Sequence, residues 1–357
     1  MSARGRLRLL RGFLTDQVKP SSILNERIFS CILCGSCETL CPTQLNITEA
    51  IYQGRSLLKP LDIKSRYLRY LIRFSIQRPL LSFKIARMLQ AIGITPKKIS
   101  GLLGAPVDIA IPATPLRDEH QIYKPDKKIG RVAIFTGCST NFLFPYLGVS
   151  LINVLLHLGY EVVLPKGEVC CGAPLRGLGL EDDAIEMAEQ NHRIFSKLKV
   201  EAILSLCPTC ILSINDHYQN LIGKGLDKAM DASAFLASRF DSHQIPLLQS
   251  VKTVTYHDPC HLKYSLGIKN EPRELIKYSG ARLIEAEGEG CCGFGGVFSL
   301  QHREMSEHLL QNRADAYLKT GAEAVVTSCP GCLLQLSKAI KDRPLLHVIE
   351  LIENTIC

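Results

Sequence analysis

The chain has 357 residues, 46% hydrophobic and 21% charged, the balance of a globular protein of two or three domains and not of a disordered one. No run of 18 apolar residues occurs, which excludes a membrane-spanning helix. The nearest stretch, 102–116, is interrupted by Pro106, Asp108, Pro112 and Pro115. The net charge of +8 is local: residues 55–98 hold eleven Lys/Arg and one acid, Asp62, while 99–357 is slightly acidic, and no recognition motif is present, so nucleic acid is excluded as a partner.

Fifteen cysteines call for either disulfides or metal. The first residues contain no continuous apolar core of signal-peptide length and no small-residue cleavage site, so a reducing, cytoplasmic setting and metal ligation are expected.

Residues 1–54 carry the first motif, Cys31-x2-Cys34-x2-Cys37-x3-Cys41-Pro42. This is the bacterial 4Fe–4S ferredoxin run, in which soft anionic thiolates surround a cluster. Gly35 is expected to let the loop close tightly around it. In two-cluster ferredoxins the Cys before Pro ligates the other cluster, yet only one run is present. Cys31, Cys34 and Cys37 therefore want a fourth ligand, and Cys41 wants a cluster. An upstream run lost from this start, an unusual closure by Cys41, or a partner subunit would each resolve this. The first is favoured, because Ala3 to Leu10 reads as the middle of a helix without a capping residue.

Residues 55–128 form a basic helical segment followed by a linker. Tyr67, Tyr70, Leu71 and Phe74 alternate with Arg66, Arg69 and Arg73 at helical spacing, and Pro79 divides the segment into two helices. Such helices cover the ferredoxin unit, dock a partner or lie against an anionic membrane. From Gly93 to Pro125, Gly101, Gly104, Pro106, Pro112, Pro115 and Pro125 mark a linker.

The remainder is a duplication, 129–249 and 250–357. Cys138, Cys170-Cys171-Gly172 and Cys207-Pro-x-Cys210 recur as Cys260, Cys291-Cys292-Gly293 and Cys329-Pro-x-Cys332. The gaps are 31 and 35 residues in the first copy and 30 and 36 in the second. Strands are expected at 131–136, 160–164 and 202–206, then at 252–256, 282–285 and 324–327. Helices are expected at 142–158, 182–199, 272–279 and 303–319, with Gly159, Gly280 and Gly321 ending helices. This alternation predicts parallel sheets covered by helices, with all the cysteines just beyond the strand ends. Five thiols per copy exceed the four of a cubane cluster, which leaves an atypical cluster, a cube with a spare thiol, zinc, or a metal-free dithiol. His257 and His261 flank Cys260 as proton carriers or as plain loop residues. Arg176 either neutralises cluster charge or lies on the surface. Phe294-Gly295-Gly296 predicts close approach to something flat or anionic. Cys357 is read as inert. Gly172 and Gly293 are followed by the wrong spacing for a dinucleotide fingerprint.

The repeated Cys…Cys-Cys-Gly…Cys-Pro-x-Cys frame resembles the cysteine-rich (CCG) domain found in heterodisulfide reductase. Together with the ferredoxin run and basic helices, the whole chain resembles the iron–sulfur subunit of glycolate oxidase and D-lactate dehydrogenases, most closely over 291–300. The resemblance implies an α/β cysteine-rich domain repeated twice after a small α-helical ferredoxin-like segment. It also implies a 4Fe–4S cluster at the ferredoxin motif and a non-cubane 4Fe–4S or other iron–sulfur cluster in each repeat. The ligands carried over are Cys138, Cys170, Cys171, Cys207 and Cys210, and Cys260, Cys291, Cys292, Cys329 and Cys332. The implied partner is an FAD subunit that oxidises a 2-hydroxy acid, with electrons passing to a quinone or other acceptor at the inner membrane face, so that this subunit is not catalytic alone. The alternative is a heterodisulfide-reductase-like catalytic subunit. Two departures stand out. The family carries two ferredoxin runs, with Arg4-Gly5-Arg6 resembling the sequence after the first, and some glycolate oxidase subunits have degenerate repeats where both are full here.

Overall fold

The computed structural model describes residues 2–58, 63–92, 94, 110–117, 121–240 and 251–356. Cys357, Gly93 and most of the expected linker, including Gly101, Gly104 and Pro106, lie outside the described residues. The N-terminal unit consists of α1 (Ala3–Leu14), α2 (Ser22–Phe29), α3 (Ser36–Thr39) and α4 (Ile47–Leu57), packed around Leu10, Leu24, Ile28, Ile51 and Tyr52. The expectation of an uncapped first helix is corrected: Gly5 N donates to Ser2 Oγ at 3.2 Å, so Ser2 satisfies one of the free N–H groups of α1.

Pro79 separates α5 (Ile63–Gln77) from α6 (Pro79–Ala91), as its missing N–H and fixed φ require. These helices cover the first repeat as well as the N-terminal unit. Arg73 pairs with the buried Asp183 at 2.7 Å, Arg69 donates to Leu178 O, and the Arg69 guanidinium lies 5.3 Å from the Phe29 ring centroid.

The first repeat holds β1 (Gln121–Tyr123), β2 (Gly130–Ile134), α7 (Gly137–Phe142), α8 (Pro145–His157), β3 (Tyr160–Leu164), α9 (Ala173–Gly177), α10 (Glu181–Phe195), β4 (Ala202–Ser205) and α11 (Pro208–Leu212). A π-helical turn, Ser213–His217, leads into α12 (Tyr218–Ile222), β5 (Ala229–Asp231) and α13 (Ala232–Ala237). The second holds β6 (Thr253–His257), a π-helical turn at His261–Ser265, α14 (Glu271–Tyr278), β7 (Arg282–Leu283), α15 (Phe298–Gln301), α16 (Arg303–Lys319), β8 (Ala324–Thr327), α17 (Pro330–Leu336), β9 (Leu345–His347) and α18 (Val348–Ile356). The sheet orders are β1-β3-β2-β4-β5 and β7-β6-β8-β9, so β3-β2-β4-β5 repeats as β7-β6-β8-β9. All pairings are parallel except β1, which enters from the expected linker and runs antiparallel to β3. β1, β5 and β9 have only three residues each, too few for a period-2 signal, and they escape the sequence reading.

The two sheets share one core. Leu151 and Leu155 of α8, Phe235 of α13, Ile276 of α14, and Ile349 and Ile352 of α18 belong to the same buried cluster. Each such aliphatic side chain contributes about 2 kcal/mol through removal from water. Helix α8 packs on α18, and its counterpart α14 packs on α13, the counterpart of α18. The repeats therefore meet about a pseudo-two-fold axis.

Candidate metal centre

Strand ends and helix starts place every repeat cysteine. Cys138 lies in the first turn of α7, beyond β2. Cys170 and Cys171 follow β3, and Gly172 turns the chain at φ +83° into α9. Cys207 caps α11, with Pro208 in its first turn, and Cys210 lies inside it. The second copy matches: Cys260 starts the π-helical turn, Gly293 turns at φ +85°, and Cys329 caps α17, which carries Cys332. The expected convergence of five thiols per copy is what the fold delivers, because parallel strands end on one edge.

The thiols interact in series. Cys170 contacts Cys138 and Cys171, Cys171 contacts Cys210, and Cys210 contacts Cys207. In the second copy Cys260 contacts Cys291, Cys291 contacts Cys292, and Cys332 contacts Cys329, with Cys292 and Cys332 sulfurs 3.4 Å apart. Cys207 also contacts Cys329, its own counterpart. The two sets thus touch, which spacing alone does not reveal. Contacts with neighbouring thiols lower the pKa of Cys171, Cys291 and Cys329 and raise that of Cys170, Cys210, Cys260 and Cys332.

The ferredoxin loop abuts the second set. Burial raises the Cys34 thiol to about 11, and Cys291, Cys31 and Cys37 interact with it electrostatically. Cys41 is half-buried and bonded to Thr43 Oγ1 at 3.2 Å, which lowers its pKa. Gly35 has φ +76°, and the atom its missing Cβ would meet is Ser265 Oγ at 2.7 Å, so its freedom serves docking onto the second repeat. At Gly295 a Cβ would lie 2.5 Å from Ile32 Cγ1, so the partner approached closely there is an apolar side chain of the ferredoxin loop, neither flat nor anionic.

His257 is no plain loop residue. It is buried, its Nδ1 lies 2.6 Å from Tyr317 OH, and its Nε2 has no partner. Its ligand atom and the Cys292 and Cys332 sulfurs all fall within 4.8 Å of one another. Burial lowers its pKa to about 4, leaving a neutral imidazole beside the sulfurs. His261 bridges three units: its Nε2 donates to Leu33 O at 2.9 Å, which leaves Nδ1 to accept from Thr209 Oγ1 at 2.8 Å. Arg176 is not on the surface. It is 2% exposed, stacks 4.4 Å from the Tyr52 ring centroid and pairs with Glu49 at 2.5 Å.

Sequence reasoning missed Glu168 and Arg55. Glu168 accepts from Thr136 Oγ1 at 2.8 Å and Gly137 N at 2.7 Å, tying the Cys138 loop to the Cys170 loop, and burial raises its pKa. Buried Arg55 donates to Gly177 O at 2.8 Å, Phe29 O at 3.1 Å and Cys31 O at 2.5 Å, joining the ferredoxin loop to the first repeat. An acid two residues before Cys-Cys in both copies was the available signal for Glu168.

Buried, mutually contacting thiols at the positive ends of helices suit an iron–sulfur cluster, which needs soft anionic donors in a dry setting. Zinc takes four ligands, and five thiols per copy exceed that.

Known proteins concur. A cysteine-rich domain (CCG) matches residues 132–215 and 254–337, and a 4Fe-4S dicluster domain matches 5–46. The chain is 30% identical to a subunit of the fumarate reductase (CoM/CoB) of Methanothermobacter marburgensis, over 92% of this chain and 62% of the relative. It is 27% identical to the probable glycolate oxidase iron-sulfur subunit of Bacillus subtilis, over 95% of this chain and 83% of that protein. It is also 27% identical to a lactate utilization protein of Exiguobacterium, over 62% of this chain and 97% of that one. It spans roughly three fifths of the length of its archaeal relatives. A hypothetical protein from Helicobacter pylori shares the fold at a TM-score of 0.53 and 12% identity, over 98% of this chain and 66% of that one. The chain belongs to the iron–sulfur proteins that join a 4Fe–4S dicluster segment to two cysteine-rich domains.

Proposed function

We propose that this chain is the electron-transfer subunit of a 2-hydroxy-acid dehydrogenase complex, with glycolate or D-lactate oxidised on an FAD-containing partner. The observation that carries the reading is the series of neighbouring thiols. It runs from Cys34 beside Cys291, through Cys332 and Cys329, across to Cys207, and on to Cys138. Cys31, Cys34, Cys37 and Cys41 are assigned to the ferredoxin motif, and the two five-cysteine sets to one centre per repeat. Bound clusters supply one-electron steps, which a two-electron flavin reaction needs on its way to a single-electron carrier. The chain's own residues hold the sulfurs in a dry interior: Arg55 and His261 fix the ferredoxin loop against the two repeats, and Glu168 fixes the Cys138 loop. No helix of the described residues is long and apolar enough to cross a membrane. The test is anaerobic addition of glycolate or D-lactate to the complex with its flavin partner. Bleaching of the cluster absorbance is the expected result, and no bleaching sinks the reading.

A second reading is favoured by the two complete thiol sets in contact: catalytic reduction of a disulfide at a cysteine-ligated cluster. Turnover of a small disulfide by this chain with an artificial electron donor selects it.

A further inference from the structure

His257 and Tyr317 form a polar pair where the first repeat has an apolar one. Their counterparts are Phe135 and Phe195, each 122 residues earlier, the offset that also separates Cys138 from Cys260. Those two rings pack in the core with centroids 5.3 Å apart. The His257 and Tyr317 rings stand 5.7 Å apart, edge to face, with Nδ1 2.6 Å from the hydroxyl. All four side chains are buried. One backbone frame thus accepts two phenylalanines, and the second repeat carries buried polar atoms there that the fold does not require.

The proton positions follow from the donors around Tyr317. Arg313 Nε, which only donates, lies 3.3 Å from Tyr317 OH, so the hydroxyl oxygen accepts there. Arg313 is itself held by Glu287 O at 3.3 Å and Gly288 O at 3.1 Å. The Tyr317 proton then goes to its acceptor, His257 Nδ1. This arrangement puts the ring proton of His257 on Nε2. Nε2 is buried and has no hydrogen-bond partner among the described residues. With Nδ1 taken, Nε2 is the nitrogen left to meet the Cys292 and Cys332 sulfurs, which together with a His257 nitrogen fall within 4.8 Å of one another. A ring nitrogen that carries a proton has no lone pair to give iron, so it acts as a donor and not as a sixth ligand.

We propose that His257 Nε2 donates a hydrogen bond to a sulfur of the second centre, at Cys292 or Cys332, and that this bond raises the reduction potential of that centre. A centre gains negative charge when it accepts an electron. An N–H dipole aimed at its sulfur therefore stabilises the reduced form more than the oxidised one. Tyr317 and Arg313 are positioning residues that act through the tautomer and orientation of His257. Phe135 offers the first centre no donor at the same place. The proposal rests on the assignment of one centre to the second five-cysteine set, and it holds whichever substrate supplies the electrons.

The test is an anaerobic redox titration of the cluster-loaded full chain, followed by EPR. The second-repeat signal is the one lost in Cys292→Ser. In His257→Phe the reduction equilibrium of that signal should fall at least tenfold, a drop of about 59 mV for one electron. The first-repeat signal should not move. His257→Gln places an amide N–H near the Nε2 position and should recover most of the shift. Tyr317→Phe frees the tautomer and should give a smaller drop, and no drop there overturns its positioning role. An unmoved potential in a His257→Phe protein that keeps its cluster overturns the proposal, as does an equal drop in His257→Gln. Should His257→Phe lose the cluster, the unaltered chain grown on nitrogen-labelled histidine decides the matter. Pulsed EPR should then show a weak nitrogen coupling on the second-repeat signal, retained in His261→Gln, and an exchangeable deuteron after transfer to heavy water. Absence of that coupling overturns the hydrogen bond, and a strong coupling overturns it in favour of direct ligation. If Cys292→Ser removes no signal, the assignment of a centre to the second set fails and the proposal with it, whereas an unmoved potential rejects the proposal alone.

Discussion

The two repeats share strand order, cysteine frame and turn glycines, yet differ in several of the side chains around the sulfurs. Three residues before the first cysteine stands Phe135 in one copy and His257 in the other. Two residues before the cysteine pair stand Glu168, buried, and Glu289, exposed and held by Lys263 at 2.9 Å. Five residues after the pair stand Arg176 and Val297. The terminal strands end on Asp231 and His347, and each caps the helix that follows, Asp231 accepting from Ser233 N at 2.8 Å and His347 from Ile349 N at 3.2 Å. The lesson is that the duplicated backbone fixes where thiols converge, while the side chains around them give each copy its own electrostatics.

The largest expected effect separates the two sets outright. Cys171→Ser should remove the first-repeat cluster, about four iron atoms per chain, and spare the second, while Cys292→Ser should do the reverse. Iron analysis with EPR checks this, and loss of both signals from either variant would show that the touching sets form one centre.

Next comes the side chain present in the first copy alone. Arg176→Met leaves the half-buried Glu49 without its cation and should loosen docking of residues 2–58 by about 1–3 kcal/mol. Hydrogen exchange along α4 should rise sharply, while exchange in the second repeat stays unchanged.

The Asp231/His347 contrast predicts opposed pH responses. Burial raises the Asp231 carboxyl from 3.8 to about 7, so the folded state holds a proton that the unfolded chain releases, and its contribution to stability falls as pH rises from about 4 to 7. Burial lowers His347 from 6.5 to about 4, so the unfolded chain holds the proton instead, and its contribution rises with pH from about 4 to 6.5. The two nearly cancel in the parent. Asp231→Asn should add about 3 kcal/mol of stability between pH 4 and 6.5 relative to the parent, and His347→Gln should subtract a similar amount. Denaturant midpoints at three pH values read this, and parallel curves for all three proteins would refute it.

The smallest contrast is between the paired glutamates. Glu168→Gln should cost about 2 kcal/mol by weakening charge-assisted bonds to Thr136 and Gly137, and Glu289→Gln less than about 0.5 kcal/mol because its ion pair is exposed.

Much of this was legible in the chain. Six of the strands, the helix-ending glycines and the convergence of thiols follow from periodicity and from the parallel-sheet rule, both of which act over short stretches. The contact between Cys207 and Cys329, the neighbourhood of Cys34 and Cys291, and the burial of Arg176 were not legible, since each depends on how separate units dock. Ser2 was overlooked as a cap because its partner, Gly5, lies in a run dominated by arginine and leucine.

The pseudo-two-fold contact makes the chain an internal homodimer. Two separate copies of one repeat would have to find each other in solution and would remain identical at every position. Covalent fusion replaces that encounter with a local concentration in the millimolar range, so the junction carrying Cys207 and Cys329 forms without an association step. Fusion also frees each half to vary independently. The fused chain ends one terminal strand on a buried aspartate and its counterpart on a buried histidine, a difference that two identical protomers could not hold.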